Sequence, residues 1–349
     1  MIRENLRATV IGFLAAVGVF ALLFYFAGVD ELVSTLTRAE PAYLALIVLT
    51  TLAWLVAWSF SLNTVLDVLG VELSYLSSFL VFAGATFSNN ITPFGQAGGE
   101  PVTAYLISRA ADAEYERSLA AIASVDTLNF VPSITIALVG AGYFASEVAL
   151  GANENLLAAI AAVGGLAVVV PALIYAGWKR RYRLEARVID ALTPIIRSIA
   201  DWIPRIRVPT PEGIERRING FFRAIERIAS NPRGLALALA ASTVGWLCQM
   251  IGLWLAFAAI GVDVRLSIAL IVVPIAAIAG VTPLPGGAGG IETVLVLLLL
   301  AAPLPQVTEP TAVAAVVIFR GAVYWIPTVI GGLVVGWIGT GLGISGDES

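Results

Sequence analysis

Histidine is absent from the 349 residues, cysteine occurs once, at Cys248, and lysine once, at Lys179. These absences remove whole classes of chemistry. A zinc site, a histidine-based catalytic triad, haem ligation through histidine and a disulfide framework all need residues the chain lacks. The lone lysine lies in "GWKRRYR", outside any P-loop motif, which speaks against ATP-driven transport by this chain alone. Nothing in the sequence calls for a metal or a cofactor, and no nucleophile motif marks an enzyme. Charge is scarce too: charged residues make up 13% of the chain, against roughly 25% in a soluble domain.

What is abundant is apolar. Hydrophobic residues reach 59%, with a mean hydropathy of +0.91, so the chain reads as an all-α polytopic membrane protein forming a single membrane domain over 1–349. Windows of about 20 apolar residues, long enough to span a bilayer, fall at roughly 8–28, 41–62, 118–144, 154–177, 235–260 and 312–338. The first is too long for a signal peptide, and no small-residue cleavage site follows "FYFAGVDE". Two longer stretches, 75–108 and 266–300, are each interrupted by proline and glycine.

The charges that do occur are unevenly placed. Residues 178–233 hold thirteen of the twenty basic residues against six acids, a net charge of +7. Basic loops stay cytoplasmic. Working outward from that anchor places both termini in the cytoplasm of a prokaryotic cell membrane. Segment 75–108 then enters and leaves on the inside, and 266–300 does so on the outside. Each is a re-entrant hairpin or a pair of short spans. The order span, span, hairpin, span recurs with opposite orientation, which predicts an inverted-topology repeat with halves at 8–144 and 154–338. Asp126 and Arg320 are each the ninth residue of corresponding spans.

The interruptions use nearly the same words: "TPFGQAGGEP" at 92–101 and "TPLPGGAGGIE" at 282–292. Irregular backbone cannot face lipid, because its unpaired N–H and C=O groups have no partner there; it survives where protein or a water-filled cavity surrounds it. Two hairpin tips meeting from opposite faces create such a cavity. Glycines let the backbone turn and approach a ligand. A half-helix beginning near Gly99–Glu100 would aim free N–H groups at an anion such as a lipid phosphate. The bland alternative is that Gly and Pro merely permit kinks and close packing, as they do in many membrane helices.

Four ionisable residues accompany the breaks: Glu100, Asp126, Glu292 and Arg320. Such residues are costly at membrane depth and tend to mark a pathway. Arg320 is suited to hold a phosphate bidentately, or to pair structurally with Glu292 or Asp126. The carboxylates either carry protons or neutralise Arg320. Around the breaks, Asn89, Asn90, Thr92, Gln96 and Thr282 supply hydrogen bonds. Gly95, Gly98, Gly99, Gly286, Gly287, Gly289 and Gly290 supply backbone freedom. Tyr324 and Trp325 either flank a lipid chain or serve as packing and interface aromatics. Arg109 reads as a residue of the cytoplasmic mouth or a positive-inside anchor.

In "IERRINGFFRAIERIA", Ile214, Ile218, Phe221, Phe222, Ile225 and Ile228 recur at helical spacing with arginines between them. This predicts a helix lying in the headgroup layer rather than on nucleic acid.

"NNITPFGQAGGEPVTAYLISR", "TPLPGGAGGIE" and "RGAVYWIP" resemble motifs of the lysylphosphatidylglycerol synthetase/flippase transmembrane family, also called the flippase-like domain or UPF0104. The resemblance covers about residues 8–338. Thr92, Pro93, Gly95, Gly98, Gly99, Glu100 and Pro101 match the first motif, and Arg320, Tyr324, Trp325 and Pro327 the last. It implies movement of a polar lipid between leaflets, without the synthetase activity, since no soluble domain is present. Membrane lipids are then the partners, with a separate synthetase or glycosyltransferase a further one. "SVDTLNF" around Asp126 departs from the acid-then-arginine pattern of relatives. Rival readings are a secondary transporter of a small soluble anion and a non-transporting membrane partner of a transferase.

Overall fold

The helices begin where the sequence supplies a start. Pro41 and Pro232 open theirs at the first turn, where a missing N–H leaves no bond unmade. Asn231 accepts from the Gly234 N–H at 2.9 Å and Ser74 from the Ser77 N–H at 3.1 Å, two side-chain N-caps. The structure, a computed structural model, describes residues 28–92, 96–151, 226–281, 284–302 and 304–341, together with Gly18, Tyr25, Gly220, Arg223 and Ala224. The expected span at 154–177, nearly all of that at 8–28 and most of the basic insertion lie outside the described residues.

Among the described residues all regular structure is helical: α1 (Val29–Thr37), α2 (Pro41–Val68), α3 (Tyr75–Ile91), α4 (Gln96–Ala111), α5 (Tyr115–Gly151), α6 (Pro232–Ala259), α7 (Leu266–Ile278), α8 (Gly290–Ala301) and α9 (Glu309–Gly341). Four stretches are long and apolar enough to cross a membrane: Pro41–Val68, Arg117–Phe144, Pro232–Ala259 and Glu309–Trp337. Each falls on an expected span. The two interrupted stretches are helix pairs, α3 with α4 and α7 with α8. Two short 3₁₀ turns, Ala279–Val281 and Pro285–Gly287, lie inside the second pair. At ~1.5 Å per residue α7 and α8 are about 20 and 18 Å long, well short of the ~30 Å hydrocarbon layer.

Inside a bilayer, apolar surface alone does not drive helices together; close approach over small residues and interhelical hydrogen bonds do. The central contact, α2 on α6, uses both. A Cβ on Gly245 would stand 2.0 Å from Trp58 Nε1. That indole donates to the Ser242 carbonyl at 3.2 Å, and Ser61 donates to the Ala238 carbonyl at 3.1 Å. Trp58 also meets Trp54 and Trp246 edge to face, with centroids 5.5 and 5.6 Å apart. Gly331 brings α9 onto α3 so closely that a Cβ there would lie 2.0 Å from the Ala83 carbonyl oxygen. Gly140 does the same for α5 on α7, 2.7 Å from Leu270 Cβ.

The contacts among α2–α9 fall into pairs. α3 packs on α9 as α7 packs on α5, and α3–α4 matches α7–α8. Likewise α4–α5 matches α8–α9, α2–α3 matches α6–α7, α2–α9 matches α6–α5, and α2–α5 matches α6–α9. The α2–α6 contact is its own counterpart.

Of the basic insertion, Ile228 and Ala224 are buried, 3% and 8% exposed, in the protein's own core, and Arg227 Nη1 donates to the Leu69 carbonyl at 3.5 Å. This end of the insertion packs on protein. The end of α2 offers it apolar surface and a terminal carbonyl acceptor. The other apolar positions expected there, Ile214, Ile218, Phe221, Phe222 and Ile225, lie outside the described residues.

Candidate functional site

The second break is built around Glu292. Gly286, Gly287 and Gly289 all take positive φ, at 58°, 65° and 86°, a region open to glycine at little cost. The chain thereby reverses between α7 and α8 with its limbs touching: a Cβ on Gly287 would lie 2.7 Å from Gly280 Cα. α8 then starts at Gly290, which sets Glu292 in its first turn. One carboxylate oxygen, Oε2, accepts from the Gly289 N–H at 2.6 Å, the reach-back half of a capping box. The other, Oε1, accepts from Arg320 Nε at 2.6 Å. The pair is well shielded, Arg320 at 11% side-chain exposure and Glu292 at 2%.

Glu292 occupies only one edge of Arg320. Nη2 stands 3.5 Å from the Gly286 carbonyl, and the guanidinium lies over the Tyr324 ring at 5.5 Å. Among the described residues Nη1 has no hydrogen-bond acceptor. The guanidinium therefore keeps donors in hand, in the planar fork that suits a phosphate or carboxylate.

The first break is arranged differently. Thr92 ends α3, its hydroxyl bonded to the Ser88 carbonyl at 2.7 Å. α4 begins at Gln96, earlier than the expected start near Gly99–Glu100, so Glu100 sits in the second turn rather than at the helix mouth. From there its side chain lies close to that of Asp126 of α5. Two bare carboxylates brought together in this way repel each other. Gly99 is where the limbs cross: a Cβ there would stand 1.7 Å from Asn89 Oδ1, an oxygen that is buried and has no partner among the described residues. Each break thus sets its glutamate against the ionisable residue of the next long helix, acid on acid in one case and acid on arginine in the other.

The two breaks also meet. Asn90, at the end of α3, donates through Nδ2 to the Tyr324 carbonyl at 3.2 Å and the Thr328 hydroxyl at 2.8 Å. Tyr324 donates its phenol to the Asn90 carbonyl at 2.8 Å. Gly286 is wedged against both: a Cβ there would lie 2.7 Å from the Tyr324 ring and 3.0 Å from Asn90 Cα. α9 contains Pro327, whose absent N–H loosens the helix locally, and α5 contains Pro132. In each helix the carbonyl three residues before the proline takes a bond from another helix: Tyr324 from Asn90, Asn129 from Trp246 at 2.9 Å.

Of the residues expected at the site, Asn90, Gly286, Glu292, Arg320 and Tyr324 come together at this junction, and Glu100 and Asp126 form a second cluster. Trp325, 55% exposed, faces outward, with only its edge on Tyr324. Arg109 ends α4 and stacks over Tyr105 at 6.0 Å. Gly95 and Thr282 lie outside the described residues. Thr328 was not anticipated; the signal for it was a hydroxyl one helical turn beyond Tyr324 in an otherwise apolar run.

Long apolar helices, two of them interrupted helix pairs, around buried ionisable residues define an integral membrane protein with a polar interior. A family model described as the lysylphosphatidylglycerol synthase TM region matches residues 9–331, and the chain belongs to that family. Relatives include a UPF0104 membrane protein of Methanothermobacter thermautotrophicus, 27% identical over 339 residues (95% of this chain, 93% of the relative). A UPF0104 membrane protein of Pyrococcus horikoshii is 25% identical over 323 residues (90% and 92%). One of Methanocaldococcus jannaschii is 24% identical over 331 residues (93% and 93%).

Proposed function

We propose that this protein moves a polar lipid with a phosphate-bearing headgroup between the leaflets of a prokaryotic cell membrane, the headgroup passing between the two broken helix pairs while the tails stay in the bilayer. The observation that carries this reading is Arg320: a shielded guanidinium at the junction of the breaks, held by Glu292 along one edge and with donors left on the other. Family membership supports it, since the transmembrane region in question takes its description from a lipid synthase.

The exchange-symmetric packing of α2–α5 with α6–α9 supports an inverted repeat, as does the matched position of Asp126 with Arg320. The short lengths of α7 and α8 support a re-entrant second hairpin, and the basic insertion supports cytoplasmic termini. In this reading the protein is not an enzyme, and its partners are lipids and a separate headgroup-modifying transferase.

The test is reconstitution in liposomes, following labelled anionic phospholipids and polyprenyl phosphates between leaflets, with wild type set beside Glu100→Gln and Arg320→Gln. Movement by wild type that folded Arg320→Gln loses is the expected result. No movement of any lipid, with or without an ion gradient, would overturn the reading in favour of a soluble anion or a scaffold.

A further inference from the structure

A small set of contacts joins the two breaks. Asn90 of α3 and Tyr324 of α9 are bonded to each other twice, side chain to backbone in both directions, at 3.2 and 2.8 Å. Asn90 is held a third time by the Thr328 hydroxyl at 2.8 Å. Gly286, at the tip of the second break, is pressed into this joint with no room for a methyl group beside Asn90 Cα or the Tyr324 ring. At this contact there is no room for a headgroup phosphate.

The joint is also built to come apart. Interhelical hydrogen bonds in a bilayer are weak individually because parted groups find other partners. Here a partner is in place: the Thr328 hydroxyl already donates to the Tyr324 carbonyl, so losing Asn90 does not orphan that oxygen. Pro327, one residue before Thr328, leaves the same turn of α9 short of a backbone bond. Arg320, moreover, touches both sides of the joint, its Nη2 at the Gly286 carbonyl and its plane over the Tyr324 ring. An anion that draws the guanidinium to itself alters both contacts at once.

We propose that the Asn90–Tyr324–Gly286 joint is a gate between the two breaks, closed in this structure, and that an anionic headgroup bound at Arg320 opens it. The proposal rests on the reading of Arg320 as the headgroup site. It assigns Asn90 and Thr328 to the gate and gives Tyr324 two separable parts, the ring under Arg320 and the phenol that bolts α3 to α9.

The experiment has two arms, both in a Cys248→Ala background. In the first, Asn90→Cys and Thr328→Cys are bridged by a short bis-methanethiosulfonate reagent and lipid movement in vesicles is followed before and after reduction. Bridging should slow movement roughly tenfold or more, because a joint that must open to let substrate through is then held shut, and reduction should restore it. Tyr324→Phe, which keeps the ring and removes the bolt, should move lipid severalfold faster than wild type. In the second arm, Thr92→Cys, beside the gate but not in it, is modified by a small charged thiol reagent with and without short-chain phosphatidic acid. The lipid should speed modification severalfold, and should not do so when Arg320→Gln is added.

If wild type moves lipid and the bridged protein moves it equally fast, the gate is overturned while the transport reading stands. If wild type moves no lipid, the second arm decides alone. An Arg320-dependent rise in modification keeps the gate, and an unchanged rate overturns it.

Discussion

Glu292 gives one carboxylate oxygen to Arg320 and the other to the Gly289 N–H, both at 2.6 Å. A single side chain thus neutralises the buried cation of α9 and fixes the first turn of α8. The cation's hold on the second break passes through that carboxylate.

Removing one member of this pair should therefore cost more than removing its charge pair as a whole. Arg320→Gln leaves Glu292, 1% exposed, without its cation, and breaking a buried pair in this way costs about 3–5 kcal/mol in soluble proteins. Thermal unfolding in detergent should place Arg320→Gln well below wild type and the Arg320→Gln/Glu292→Gln double variant above the single one. A double variant as unstable as the sum of both singles would deny the coupling.

Gly331→Ala and Gly245→Ala each drive a methyl group to 2.0 Å from a backbone oxygen or an indole nitrogen. Overpacking of this kind costs about 1–3 kcal/mol, and two helix interfaces should loosen. Gly336→Ala, in the same helix as Gly331 with nothing within 4 Å, is the control and should unfold with wild type. Equal midpoints for all three would refute the close approach.

Gly261 and Gly286 separate strain from contact. Both have positive φ, 74° and 58°, so alanine at either pays the left-handed penalty of about 1–2 kcal/mol. Only Gly286→Ala also meets the Tyr324 ring. It should lose distinctly more stability than Gly261→Ala, and more lipid movement, and the difference between the two midpoints measures the contact.

Asn63, buried in α2, donates to the Leu73 carbonyl at 2.7 Å and the Ser78 hydroxyl at 3.0 Å, pinning the turn into α3. Asn63→Leu removes both bonds and leaves the carbonyl without that donor, for about 1–3 kcal/mol. Proteolysis at 69–74 should speed up in proportion; an unchanged cleavage rate would show that the turn holds itself.

Much of this architecture was legible in the chain because membrane depth permits few solutions. An apolar run of bilayer length has to be a helix, and Pro–Gly clusters inside such runs have to be turns that protein shields. That Arg320 would pair with an acid was legible for the same reason, since a charge in that setting needs a partner. Which acid Arg320 would choose was not. That depends on α8 starting at Gly290, which turns Glu292 toward α9, whereas α4 starts four residues before Glu100 and turns it toward Asp126. The gate residues were legible only in part. Asn90 and Tyr324 stood out as polar groups near a break, but their bonds to each other join residues 234 apart in sequence, and no local pattern encodes that. The burial of Ile228 in protein was not legible, because a helical stripe reports that a face is apolar, not what will cover it.

The contact of α2 with α6 has a consequence for biogenesis. Trp58 and Ser61 enter the membrane early in synthesis, yet their acceptors, the carbonyls of Ser242 and Ala238, arrive some 180 residues later. Trp246, the donor to the Asn129 carbonyl, comes later still. Through that interval the nascent amino-terminal half holds polar groups in the bilayer that no later residue has yet satisfied. The two halves therefore complete each other's interhelical hydrogen bonding only once the second has been made.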